Sequence, residues 1–137
     1  MEKHFELTDQ EFERQFESCE LDPAIFSHEA HLRLAWIHLY NYGIDKSLER
    51  IQIQLLRFAS SAGDPGKYNK TLTIAAIKAV HHFMLRSKSA SFMEFILEFP
   101  RLKYNFRELM DAHYGFDIFN SEKARTQYLE PDLLPFD

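Results

Sequence analysis

Apolar residues recur along this chain at spacings of three and four, and no segment shows the polar/apolar alternation of a half-buried strand. Thr8-Asp9-Gln10-Glu11 has the form of a capping box, with Phe12 and Phe16 one turn apart behind it, and predicts a short first helix to about Cys19. Asp22-Pro23 marks a linker. Ser27 then stands as an N-cap, with Glu29 near the positive end of the dipole, before a second helix over 28–42 that Gly43 stops. Asp45 can cap a third helix, in which Leu48, Ile51, Leu55, Phe58 and Ala59 hold one face as far as Ala62. Gly63-Asp64-Pro65-Gly66 ends it.

The same periodicity places a fourth helix from about Thr71, with Ile74, Ile77, Val80, His81 and Met84 on or beside one face. Ser91-Phe92-Met93-Glu94 is a second capping box and opens a short helix that Phe99-Pro100 terminates. Leu102, Phe106, Leu109 and Met110 set a sixth over 101–113, and Ser121 can cap a last one to about Tyr128. The prediction is an all-α protein. It is a single compact helical bundle over 1–137, with six to seven helices, short connections and an extended C-terminal tail.

Composition narrows the chemistry. The 13 Phe, six Tyr and one Trp supply an aromatic core without covalent staples. Cys19 is the only cysteine, which excludes an intramolecular disulfide and a thiolate zinc cluster. A formal charge of −5 with no dense basic run argues against a phosphate-backbone surface, so no nucleic-acid partner is expected. No membrane association is expected either, since no apolar window is long enough to span a bilayer and the N-terminal residues do not form a signal-type apolar stretch. These features predict a cytoplasmic location.

The candidate chemistry begins at His28-Glu29-Ala30-His31. On a helix His31 and His38 lie nearly on one line and His28 about 60° away, so all three border the buried stripe of Leu32, Ala35 and Leu39. Histidines at i, i+3 can converge on one metal ion, with a third ligand from His81 or His82, Asp111 or His113. The H-E-x-x-H metalloprotease spacing is absent. Hydrogen bonding across the helix terminus explains the same pair without a ligand, and so does a metal-free polar pocket.

Lys67-Tyr68-Asn69-Lys70-Thr71-Leu72-Thr73 leads from a Gly/Pro turn into a helix start, where backbone N–H groups and the Thr hydroxyls suit a small polar ligand. The plainer reading has Thr71 as the cap, Tyr68 packing and Thr73 bonding back to the backbone. Phe92, Phe95, Ile96 and Phe99 form a stripe that reads as core. Cys19 reads as a small packed side chain. Arg33 turns to another side of its helix and reads as a surface residue or a partner of the C-terminal tail.

Three segments, Phe26 to Trp36, Lys67 to Thr73 and Glu130 to Pro135, resemble a small bacterial family of helical proteins. Its members share F-x-H-x-x-H-L-R-L-A-W, G-x-Y-H-x-T-x-T and P-D-L-x-P. The resemblance implies positions and no reaction: His28, His31, Tyr68, Thr71 and Thr73 fall on motif positions, and the first two segments would meet in one cleft. Asn69 stands where the pattern has His, which weakens a metal site there and leaves a hydrogen-bonded pocket intact.

The leading expectation is therefore a small-molecule-binding protein whose pocket is lined by His28, His31, Tyr68, Asn69, Thr71 and Thr73, with or without turnover and with no cofactor specified. One alternative is a metalloprotein using His28 and His31. The other is a non-catalytic interaction protein or homodimer, with an apolar patch in the stretch from Phe92 to Phe106.

Overall fold

The computed structural model describes residues 1–136, and every regular element among them is helical, with no strand. The chain divides into two compact units, Met1–Tyr68 and Asn69–Asp137. In the first, α1 (Asp9–Glu17) packs against α2 (His28–Ser61), with short 3-10 turns at Lys3–Glu6, Pro23–Ile25 and Pro65–Lys67. The second holds α3 (Lys70–Met84), α4 (Phe92–Glu98), α5 (Arg101–Tyr104), α6 (Phe106–His113) and α7 (Glu122–Thr126). Seven α-helices thus meet the expected six to seven, and no helix among the described residues is long and apolar enough to cross a membrane.

The break expected at Gly43 is a kink inside α2. Gly43 has φ 82° and ψ 177°, a region that only glycine occupies readily, so 28–42 and 44–61 are two helical rods joined at one residue. The sixth predicted helix is also divided. Asn105, at φ −129° and ψ 33°, leaves the helical region and separates α5 from α6.

The caps explain where the helices start. Thr8, Ser27, Ser91 and Ser121 each accept from a backbone N–H three residues on, as their positions predict. Only half of the first capping box forms, because the Glu11 side chain is taken by Arg14 and Gln15. At α3 the cap is Asn69, whose Oδ1 accepts from the Leu72 N–H. Thr71 lies inside the helix instead.

In the first unit Phe12, Phe16 and Phe58 are core, and Phe16 bridges to both Phe26 and Phe58. In the second, Phe92, Phe95 and Ile96 of the Phe-rich stripe are buried and Phe99 is half-buried. The tail crosses the end of α6: the Leu133 N–H donates to the His113 carbonyl, His113 Nδ1 donates to the Leu134 carbonyl, and the His113 ring stacks on Phe136.

Two helices end in the same 6→1 and 5→2 hydrogen-bonded motif with different residues at its left-handed position. After α2 that residue is Gly63 (φ 84°), with the Asp64 N–H donating to the Ala59 carbonyl and the Gly63 N–H to the Ser60 carbonyl. After α1 it is Cys19 (φ 62°), with the Glu20 N–H donating to Gln15 and the Cys19 N–H to Phe16. A Cβ at such a φ crowds the following carbonyl. Cys19→Gly is expected to stabilise the protein by about 1 kcal/mol and Gly63→Ala to destabilise it by about as much. Urea unfolding curves of the two variants would check both signs.

Candidate functional site

The first turn of α2 carries two chemistries on opposite faces. Residues two apart on a helix diverge by about 200°, whereas i, i+4 neighbours nearly coincide. Glu29 and Arg33 accordingly share one face, and His28 and His31 border another.

On the Glu29 face, Arg33 is 4% exposed, a correction to its reading as a surface or tail residue. Its five N–H groups all find acceptors. Nε and Nη2 donate to Asp9 Oδ1 at 3.2 and 2.9 Å, Nη2 to the Leu7 carbonyl at 2.8 Å, and Nη1 to the His4 carbonyl at 2.5 Å and to His4 Nδ1 at 3.3 Å. The guanidinium also lies over the Phe12 ring at 4.9 Å.

A guanidinium has no lone pair to offer, so His4 Nδ1 must accept and the ring proton sits on Nε2. From there it is donated to Glu29 Oε1 at 2.7 Å, between a histidine that is fully buried and a carboxylate that is 4% exposed. Burial pushes the His4 pKa down, against the pull of Glu29. Glu2 joins at the edge by accepting from the Ser27 hydroxyl.

Glu2, His4 and Glu29 bring one ligand-type atom each within 4.8 Å of one another, the one such set of three among the described residues. The set does not fit a metal ion while Arg33 is in place. A metal would need the Nε2 lone pair, and moving the proton to Nδ1 would aim it at a cationic donor. His28 and His31 belong to no such set among the described residues.

On the other face, the His31 ring stacks on Phe26 with centroids 4.0 Å apart and planes at 28°. Phe26 is itself wedged against Phe16 and Phe58 at 4.9 and 5.1 Å. His31 retains an exposed edge, and its side chain makes no hydrogen bond among the described residues. Crowding by the surrounding protein, with smaller contributions from His28 and Lys67, pushes its pKa down, and the imidazole is neutral at pH 7. His28 is exposed at the helix start. The Pro65–Lys67 turn lies against α2 and is followed by the half-buried Tyr68.

The remaining predicted residues belong to the second unit, where their polar groups hold its fold. Asn69 Nδ2 donates to the Ile118 carbonyl at 2.9 Å while Oδ1 caps α3. Thr71 Oγ1 donates to the Gln127 carbonyl at 2.6 Å and accepts from the Leu129 N–H at 3.0 Å. Thr73 Oγ1 donates back to the Asn69 carbonyl at 2.7 Å.

A third polar group occupies the α1/α2 face. The buried His38 donates from Nδ1 to the Leu34 carbonyl at 3.0 Å, which leaves Nε2 as an acceptor with no protein partner. Ser47 Oγ, Arg50 Nε and Gln54 Oε1, spaced along the second rod of α2, are buried without partners as well, as groups that take ordered water are. Tyr42 donates to Glu13 at 2.5 Å, and Arg50 stands over the Tyr42 ring at 4.5 Å. Burial lowers the His38 pKa, against its bond to Leu34.

Two outcomes follow from this wiring. Arg33→Met strands the His4 and Leu7 carbonyls and is expected to cost about 3 kcal/mol, with Arg33→Lys recovering only part because an ammonium's three N–H groups cannot reproduce five planar donors. Chemical denaturation of the two variants measures this. His4 and His38 are neutral in the fold, with pKa values below the unfolded 6.5. The unfolded chain therefore binds more protons than the native one below that pH. Stability is held above pH 6.5 and lost on acidification, with a slope approaching about 1.4 kcal/mol per pH unit for each residue. His38→Gln should reduce the slope in urea titrations between pH 7 and 5.

No protein-family model, curated protein or solved structure matches this chain.

Proposed function

We propose that the protein binds a small polar molecule at the exposed edge of His31, with His28 and Tyr68 as neighbouring contacts. One observation carries this reading: His31 is a neutral imidazole fixed by stacking on Phe26 that makes no hydrogen bond among the described residues. A neutral imidazole presents one N–H and one lone pair, so it can donate and accept at once. Its rigid support lowers the ordering cost of binding. Two other histidines of the first unit differ in this respect, since His4 is locked to Glu29 and Arg33 and His38 is enclosed.

Asn69, Thr71 and Thr73 enter the proposal as the residues that set the course of the segment after Tyr68, because their side chains are engaged in the second unit. The resemblance to the bacterial family places His28, His31 and Tyr68 on shared motif positions. A reducing cytoplasmic setting fits a chain with one cysteine.

The test is a screen of small alcohols, amides, amines and carboxylates against the full chain, read by the imidazole C–H resonances of each histidine. Compounds that bind are expected to shift His31 first, and the double variant His28→Ala, His31→Ala is expected to lose them while keeping its far-UV helical signal. Binding that survives in the double variant, or compounds that move only other histidines, would overturn the reading.

A further inference from the structure

An open cleft of about 440 Å³ lies within the second unit, where α6, the turn at Gly115 and the C-terminal tail meet. Arg107 and Asp111 stand one turn apart on α6 and both line it. The Arg107 guanidinium lies over the Phe119 ring at 4.1 Å, which fixes its plane. Its ion pair with Asp117 Oδ1 is 3.8 Å long, beyond hydrogen-bond distance, and its N–H groups make no hydrogen bond among the described residues. Asp111 has neither an ion pair nor a hydrogen bond among them.

The other carboxylates at the cleft are engaged. Asp117 accepts from the Phe119 N–H at 2.9 Å and from Asn120 Nδ2 at 2.7 Å, and Asp132 accepts from the Gly115 N–H at 2.7 Å. A Cβ on Gly115 would crowd Asp132 Oδ2 at 2.9 Å, so glycine lets the tail close on this turn. Leu133 is held there by its N–H bond to the His113 carbonyl at 3.0 Å, and Phe116 meets the Tyr114 ring at 5.5 Å with planes at 82°. Tyr114, Phe116 and Leu133 give the cleft an apolar wall. Glu108, His113 and Glu130 do not line it.

We propose that this cleft binds a free α-amino acid with an apolar side chain, its carboxylate taken by Arg107, its ammonium by Asp111 and its side chain by Phe116 and Leu133. A guanidinium with an unspent N–H edge takes a carboxylate through two parallel bonds, and an unpartnered carboxylate takes an ammonium. The two charged groups of an α-amino acid share one carbon, within reach of side chains whose Cβ atoms are about 5–6 Å apart on a helix. The excess of carboxylates disfavours simple anions, and the single guanidinium separates an amino acid from a plain amine. No residue of the first unit lines the cleft, so this site goes beyond the reading at His31.

The experiment titrates the full chain at pH 7 with leucine, leucinamide and N-acetylleucine, following the backbone amide resonances of Gly115 and Phe116. Leucine is expected to shift both saturably, with the two analogues, each lacking one charge, at least about tenfold weaker. Arg107→Met and Asp111→Asn replace exposed side chains, so both variants keep the fold. The first is expected to remove the preference for leucine over leucinamide, and the second the preference over N-acetylleucine.

Leucinamide binding as tightly as leucine would overturn the amino-acid class in favour of a plain cation, and N-acetylleucine doing so would overturn the part given to Asp111. Preferences unchanged in both variants would overturn the assignment to these side chains. So would leucine at about 50 mM leaving Gly115 and Phe116 unmoved, whether or not it shifts the His31 imidazole resonance.

Discussion

The first unit depends on one guanidinium. Arg33 fixes the carbonyls of His4 and Leu7 and the carboxylate of Asp9 to the first turns of α2, so the N-terminal segment and the start of α1 are set against the helix by a single side chain. The five donors of arginine lie in one plane, and here each has an acceptor. That completeness determines the state of its neighbour. His4 must accept at Nδ1, must carry its proton on Nε2, and must therefore donate to Glu29. The charge of one residue thus fixes the tautomer of the next and the direction of a third.

Glu29 and the two histidines that flank it in sequence are separated by the helix itself. A carboxylate between two histidines in sequence would ordinarily raise their pKa values and favour the imidazolium. Glu29 instead lies on the opposite face of the helix from His31 and bonds His4, and burial, with smaller contributions from His28 and Lys67, lowers the His31 pKa.

The helices and most of their caps were legible in the sequence because both are local. Apolar spacing reports on i, i+3 and i, i+4 neighbours, and Thr8, Ser27, Ser91 and Ser121 bond three residues away. Gly43 declared its break because few residues besides glycine tolerate its φ and ψ. The polar networks were not legible in the same way. Arg33 reaches residues 24 to 29 positions away, and Thr71 bonds residues 56 and 58 positions away. Nothing in a helical periodicity distinguishes such an arginine from one in water. The i, i+4 spacing of Glu29 and Arg33 was a visible signal, but it reads equally well as an exposed helix pair.

The Lys67–Thr73 segment shows how one string of polar residues can be read in two ways. Asn69, Thr71 and Thr73 look ligand-binding in sequence because they are hydrogen-bonding residues at a helix start, yet such residues are also what a buried loop-to-helix junction requires. Asn69 ties α3 to the carbonyl of Ile118, and Thr71 satisfies both a donor and an acceptor of the segment after α7. A buried hydroxyl with two backbone partners has little capacity left for a ligand. A side chain whose polar groups already bond the backbone differs from one with residual hydrogen-bonding capacity at an accessible edge. Among the residues singled out by the motifs, His31 combines such an edge with a ring that makes no hydrogen bond among the described residues.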